Sequence, residues 1–208
     1  MSILTNVFYI TSVALMIPVM LALLLGLLYT LYLSGTAIHE FTDRLKKSAQ
    51  RKSLIEALEN KSATIPTIDD SDDFGKTLNT VLVQGDDALL VGKKIADLES
   101  VWRGELQKIS DMAKYGPALG LMGTLIPLGP ALVGLAEGDL ATMASNMVVA
   151  FATTVVGVLI SLIALAVHSA KQRWYREDSI LLTFASERSA ELPRVNDHSL
   201  DDIQTEAA

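Results

Sequence analysis

The sequence predicts an all-α membrane protein with three transmembrane helices and long cytoplasmic helical extensions. Three observations carry this reading. Residues 7–33, 115–136 and 140–167 are apolar and hold no Asp, Glu, Lys or Arg. Each is long enough to span a bilayer, which takes about 20 residues as a helix. The chain is 50% hydrophobic yet 20% charged, with mean hydropathy +0.36. That balance fits membrane helices joined to a polar part. The polar stretches repeat their apolar residues at helical spacing.

The organisation follows in chain order. Residues 1–35 hold the first transmembrane helix, with Pro18 as a point of bending and Tyr29 and Tyr32 at the interfacial end. The apolar start has no Lys or Arg before Arg44 and is too long for a secretory signal, so it reads as a retained helix. Residues 36–114 form a cytoplasmic helical domain. One helix continues directly from the first span over 36–61. A loop with Pro66, Gly75 and the acidic run Asp69–Asp73 follows. A second helical pattern covers Lys76 to Lys114, interrupted at Gly85 and restarted by Asp86 as a cap. Residues 115–170 form a transmembrane hairpin whose turn is Glu137-Gly138-Asp139. Residues 171–208 form a further helix that begins after His168 and an acidic tail from Pro193, too polar to fold alone. Arg44, Lys46, Lys47, Arg51 and Lys52 follow the first span, Lys108 and Lys114 precede the second, and Lys171, Arg173 and Arg176 follow the third. The excess of basic residues on one side predicts the N-terminus outside and the C-terminus in the cytoplasm.

The bulk numbers also exclude. A formal net charge of −7 and the lack of a basic run with interleaved aromatics speak against nucleic acid as a partner. The chain has no Cys, which rules out disulfides, thiol catalysis and Cys-ligated metal. No nucleophile–base set, metal cluster or phosphate loop is evident, so an enzyme is not expected. The acidic run lacks the EF-hand spacing and reads as a solvated loop.

The hairpin carries the functional signal. Gly116 and Gly120 lie one turn apart, with Gly123 near the same face, a spacing that lets helices approach closely. Plain helix packing accounts for these glycines taken alone. Pro127 and Pro130 free backbone carbonyls, which implies either a kink or a hinge beside a pore. In the third span Asn146, Ala150, Thr153, Gly157, Ser161, Ala164 and His168 share one face, every member small or polar. Thr154 lies beside that stripe. Single hydroxyls of this kind bond back to their own helix. The whole stripe reads as a shared interface or a pore. None of the 24 Asp and Glu lies within a spanning core. A proton path through a membrane needs an ionisable group there, so a carboxylate would have to come from another chain.

Two segments resemble the MotA/TolQ/ExbB proton-channel family. GLMGTL, Gly120 to Leu125, is similar to the family's GL-x-GT motif, and AFATTVVGVLISL, Ala150 to Leu162, to its A-x-x-x-T-x-x-G pattern. The resemblance covers residues 80–170 by motif and the full chain by order of segments. It implies a homopentamer, a pentameric bundle whose second and third helices line a pore. Inside would sit a dimer of a single-span partner like ExbD, TolR or MotB, bearing one membrane Asp. Thr124 and Thr154 fall on the two channel-facing threonines of the family. ExbB and TolQ carry a Glu shortly before the third-helix Thr, and Val149 stands at that position here. The Pro127 and Pro130 pair also departs from the ExbB pattern.

The resulting expectation is a stator-like ion-channel subunit of the cell membrane. It would turn proton or sodium flow into mechanical work or transport through its partner and hold no cofactor. The ion path would be lined by Thr124, Thr154, Thr153, Asn146 and Ser161. Gly116, Gly120, Gly123, Gly157, Pro127 and Pro130 would serve packing or hinging. An oligomeric scaffold or receptor subunit, and a small-solute transporter, are the alternatives.

Overall fold

The structure is a computed structural model that describes residues 2–60, 72–83 and 87–191, apart from the side chains of residues 2–6, 8, 9, 12, 83, 190 and 191. Its elements are all helical: α1 Ser2–Glu59, α2 Asp73–Val83, α3 Ala88–Glu137 and α4 Leu140–Glu191. Helices α1, α3 and α4 are long and apolar enough to cross a membrane.

Helix α1 carries the first apolar segment and the following polar residues without a break. Pro18 and the Ser34-Gly35-Thr36 triplet lie inside it. The Thr36 hydroxyl donates to the Leu33 carbonyl at 2.9 Å, so this polar residue is satisfied within the helix.

Helix α2 starts earlier than its apolar spacing suggests. The Asp72 carboxylate accepts the Gly75 N–H at 3.0 Å, and its carbonyl accepts the Lys76 N–H at 3.1 Å. Asp72 is therefore an N-cap, and Asp73 sits in the first turn where the helix dipole favours a negative charge. These two residues, expected in a solvated loop, build a helix start. Asp69, Asp70 and Ser71 lie outside the described residues, as do Gly85 and Asp86. The cap of α3 is Asp87, one residue after the one expected. Its carboxylate accepts the Leu90 N–H at 3.0 Å and its carbonyl the Val91 N–H at 2.9 Å.

The hairpin turn is compact. Gly138 has φ +78°, a left-handed conformation that costs glycine little. Asp139 donates its N–H to the Gly134 carbonyl at 2.8 Å and closes α3. Its carboxylate then starts α4, accepting the N–H groups of Ala141 at 3.1 Å and Thr142 at 3.0 Å and the Thr142 hydroxyl. Those bonds, the Thr142 pair first, hold the exposed Asp139 carboxyl below its ordinary range.

Helix α4 differs from expectation at its far end. No new helix begins after His168; one helix runs from Leu140 to Glu191. Between Gly157 and Glu191 there is neither Gly nor Pro to end it. The tail from Pro193 lies outside the described residues.

The chain divides into two compact units. The first comprises Met1–Lys46 and Val101–Tyr175. One of its apolar clusters joins Val19, Leu23, Ile126 and Ile160, and another joins Ala37, Ile109, Ala113, Ala164 and Val167. Both draw on α1, α3 and α4. The second comprises Lys47–Ser100 and Arg176–Ala208. It buries Leu54, Leu58, Leu78, Val81 and Leu182. There Arg51 pairs with the fully buried Asp178 at 2.5 Å, and the Arg188 guanidinium donates to the carbonyls of Leu58 and Glu59 at the end of α1.

Candidate ion path in the hairpin

Glycine sets how near α3 and α4 come. A Cβ built on Gly116 would lie 2.8 Å from the Gly157 carbonyl oxygen, and one on Gly157 would lie 2.6 Å from the Gly116 carbonyl oxygen and 2.7 Å from the Gly120 Cα. At Gly120 the nearest atoms would be the Gly157 Cα and the Thr153 carbonyl oxygen, both at 3.2 Å. At Gly123 it would be the Thr153 Cβ at 2.6 Å. At Gly116, Gly123 and Gly157 these backbone and branched-carbon contacts leave no room for a side chain without a shift of the neighbour, and at Gly120 the neighbour would have to give slightly. Gly134 extends the seam toward the turn, where a Cβ would lie 3.2 Å from the Asp139 carbonyl oxygen. Its signal in the sequence was the spacing of a small residue four before the turn glycine.

The small and polar stripe of α4 forms the other side of this seam. Ala150, Thr153, Gly157, Ser161 and Ala164 are all buried within the chain. Thr153 donates to the Ala150 carbonyl at 2.8 Å. Ser161 donates to the Ala113 carbonyl at 2.8 Å, a bond between helices. Asn146 is half-buried and its amide donates to the Thr142 carbonyl at 2.9 Å. Pro127 is fully buried and Pro130 half-buried, both inside the continuous α3.

Thr124 and Thr154 stand apart from the seam. Thr154 is exposed and Thr124 half-exposed. A Cβ on Gly120 would lie 3.5 Å from the Thr154 Cα, and Thr124 is one turn beyond Gly120 on the same face. The two threonines therefore occupy neighbouring turns of the two arms. The Thr124 hydroxyl donates to the Leu121 carbonyl at 2.7 Å, and Thr154 makes a longer bond to the Ala150 carbonyl at 3.4 Å. The Thr124 proton is spent on its own helix, and both hydroxyl oxygens keep lone pairs for an outside partner.

Residues 84–182 match the MotA/TolQ/ExbB proton channel family. This segment is similar to the MotA/TolQ/ExbB domain. Comparison with curated proteins and with solved structures returned no match. That match supports an ion-channel-type membrane subunit, and the three apolar helices support a multi-pass membrane protein. The MotA/TolQ/ExbB segment contains the glycine seam, both outward threonines and the turn. At Val149 it presents an apolar, half-buried side chain. Among the described residues, no group of three His, Asp or Glu gathers as metal ligands.

One polar cluster of the first unit was not visible in the sequence. Lys171 on α4 bonds Glu40 of α1 at 3.1 Å, Glu105 of α3 at 3.4 Å and the Tyr175 hydroxyl at 3.2 Å. Tyr175 donates to Glu105 at 2.6 Å. Burial first, then the Glu105 bond, pushes this phenol well above its usual range, so it stays protonated. Trp174 stacks on Phe41, and the Arg44 guanidinium lies 5.3 Å from the Trp174 ring centroid. Lys171 and Tyr175 share a helix face at i, i+4, as do Glu40 and Arg44. That spacing was visible, but the pairing between helices was not.

Proposed function

We propose that this chain is the channel subunit of an ion-motive-force-driven motor. It assembles as a homopentamer around a single-span partner that carries a membrane carboxylate. The N-terminus lies outside and the C-terminus in the cytoplasm of a cell-membrane assembly. The observation that carries this reading is the outward pair Thr124 and Thr154, whose oxygens are free to accept within spans that hold no charge.

The chemistry follows from that polarity. A hydroxyl oxygen that accepts favours the protonated form of a facing carboxyl, which donates. Protonation removes the cost of taking a charge past the apolar flanks Leu121 and Leu125, which are exposed beside Thr124 on α3. Loss of the proton on the other side restores the charge and blocks return. Relative rotation of the two subunit sets would be the output. The same oxygens suit Na⁺, a hard cation that takes oxygen ligands. Ser161 supports the path by tying α4 to α3 through the Ala113 carbonyl, while Thr153 and Asn146 bond to carbonyls of α4 itself.

Co-reconstitution with the partner in liposomes tests this. Thr154→Val removes the oxygen with little change of volume. It should abolish proton or sodium flux under an imposed potential while oligomer size is unchanged. Flux at the wild-type rate in that variant would sink the assignment.

A further inference from the structure

Between α1 and α3 runs a groove that the threonine pair does not line, though Gly116 at one end of the glycine seam does. Its larger part, about 560 Å³, is apolar and walled by Leu25, Gly26, Ala118, Leu119 and Met122, with Ile160 of α4 also lining it. Tyr29 also lines a second cavity of about 280 Å³, together with Tyr32, Thr36, Glu105, Lys108 and Lys171. The two cavities therefore adjoin, one apolar and one charged. From Ala22 in the first to Thr36 in the second is about 21 Å of helix at 1.5 Å per residue. Half of a bilayer of about 40–45 Å, headgroups included, has the same length.

The charges are specific. Lys171 is almost fully buried and already paired with Glu40 and Glu105. Lys108 is exposed and, among the described residues, makes no ion pair. Around this cavity Lys171 and Arg44 face Glu40 and Glu105, so the positive charge of Lys108 is left over. A ligand that matches has one negative charge at one end and about one leaflet of hydrocarbon behind it.

We propose that this groove binds one glycerophospholipid of net charge −1, its phosphate at Lys108 and an acyl chain along Leu25, Leu119 and Met122. The ammonium of Lys108 donates to the phosphate, and the Tyr32 hydroxyl is the neighbouring donor. The apolar part takes the chain in place of loosely packed bulk lipid. This site is independent of ion conduction and involves neither Thr124 nor Thr154.

The test uses the purified full chain in detergent, exchanged with dioleoyl phosphatidylglycerol or dioleoyl phosphatidylcholine, with native mass spectrometry counting retained lipid. The wild type should keep about one phosphatidylglycerol per chain and retain phosphatidylcholine at least tenfold less. Lys108→Glu should remove that preference, and Ala118→Trp, which fills the groove from an exposed position, should remove retention of both. Circular dichroism verifies that both variants stay helical. Equal retention of the two lipids by the wild type, or unchanged phosphatidylglycerol retention in Lys108→Glu or Ala118→Trp, would overturn the proposal.

Discussion

Glycine in this chain does two opposite things, and the difference lies in what surrounds each one. At Gly157 a Cβ would meet two backbone atoms of α3 within 2.7 Å. At Gly104, also in a helix interior, it would meet nothing within 4 Å. Gly157→Ala should therefore destabilise the fold by about 1–3 kcal/mol, the usual cost of overpacking. Gly104→Ala should stabilise it by about 0.5–1 kcal/mol, because a helix-interior glycine is entropically costly. Thermal melting of both variants in detergent checks the opposite signs. Two melting points shifted the same way would contradict the close approach of α3 and α4. The hydroxyls divide in a similar manner. Ser161 and Thr153 are buried and bonded within the chain, whereas Thr124 and Thr154, of the same chemical type, look outward.

Helices α2, α3 and α4 begin at aspartates, and the cap of α4 titrates with a definite sign. Asp139 is hydrogen-bonded at the start of α4 as a carboxylate, so its folded pKa is lowered. Its contribution is present above the ordinary carboxylate pKa of about 3.9 and is lost as pH falls through the lower folded value. Thr142→Ala removes one accepted bond and should move the Asp139 titration, followed by NMR, back toward that ordinary value. No movement would show that Thr142 does not hold the carboxylate. The Arg51–Asp178 pair ties α1 to α4 inside the second unit, with Asp178 fully buried. Asp178→Ala leaves a largely buried guanidinium without its counter-charge. It should cost about 3 kcal/mol, whereas an Arg51→Met, Asp178→Leu double variant should recover much of the loss. Denaturant melts of the second-unit helices measure both.

At the scale of the assembled molecule, the exposed apolar stripes decide the outcome. On α3, Leu121, Leu125, Leu128, Leu132 and Leu135 recur at spacings of four and three, and on α4 Val148, Phe151, Val155, Leu159 and Leu162 do the same. Such stripes meet either lipid or another helix. The proposed pentamer puts the α4 stripe against a neighbouring copy. The chain has no cysteine, so a single introduced thiol reports only on itself. Val155→Cys should cross-link to dimers under mild oxidation, and Leu25→Cys, on the α1 groove, should not. Monomer alone from Val155→Cys would rule out that packing.

Three spans, their order and the hairpin turn were legible in the sequence because each is a local property: an uncharged run of sufficient length, or a glycine next to a capping aspartate. The close glycines were legible as a spacing, since helical period alone puts Gly116 and Gly120 on one face. Which hydroxyls turn inward was not, because Thr153 and Thr154 are adjacent and nearly identical in chemistry. Only the packing of α3 on α4 separates them, and it also converts Ser161 from a candidate on an open stripe into a bond between helices. Lys171, Glu40, Glu105 and Tyr175 come from three helices far apart in sequence, so their cluster exists only once those helices are packed. The sequence by itself determined how many times the chain can cross a membrane. The tertiary structure decided which side of each crossing faces its own chain and which is left for something else, because that depends on how near two helix backbones can come.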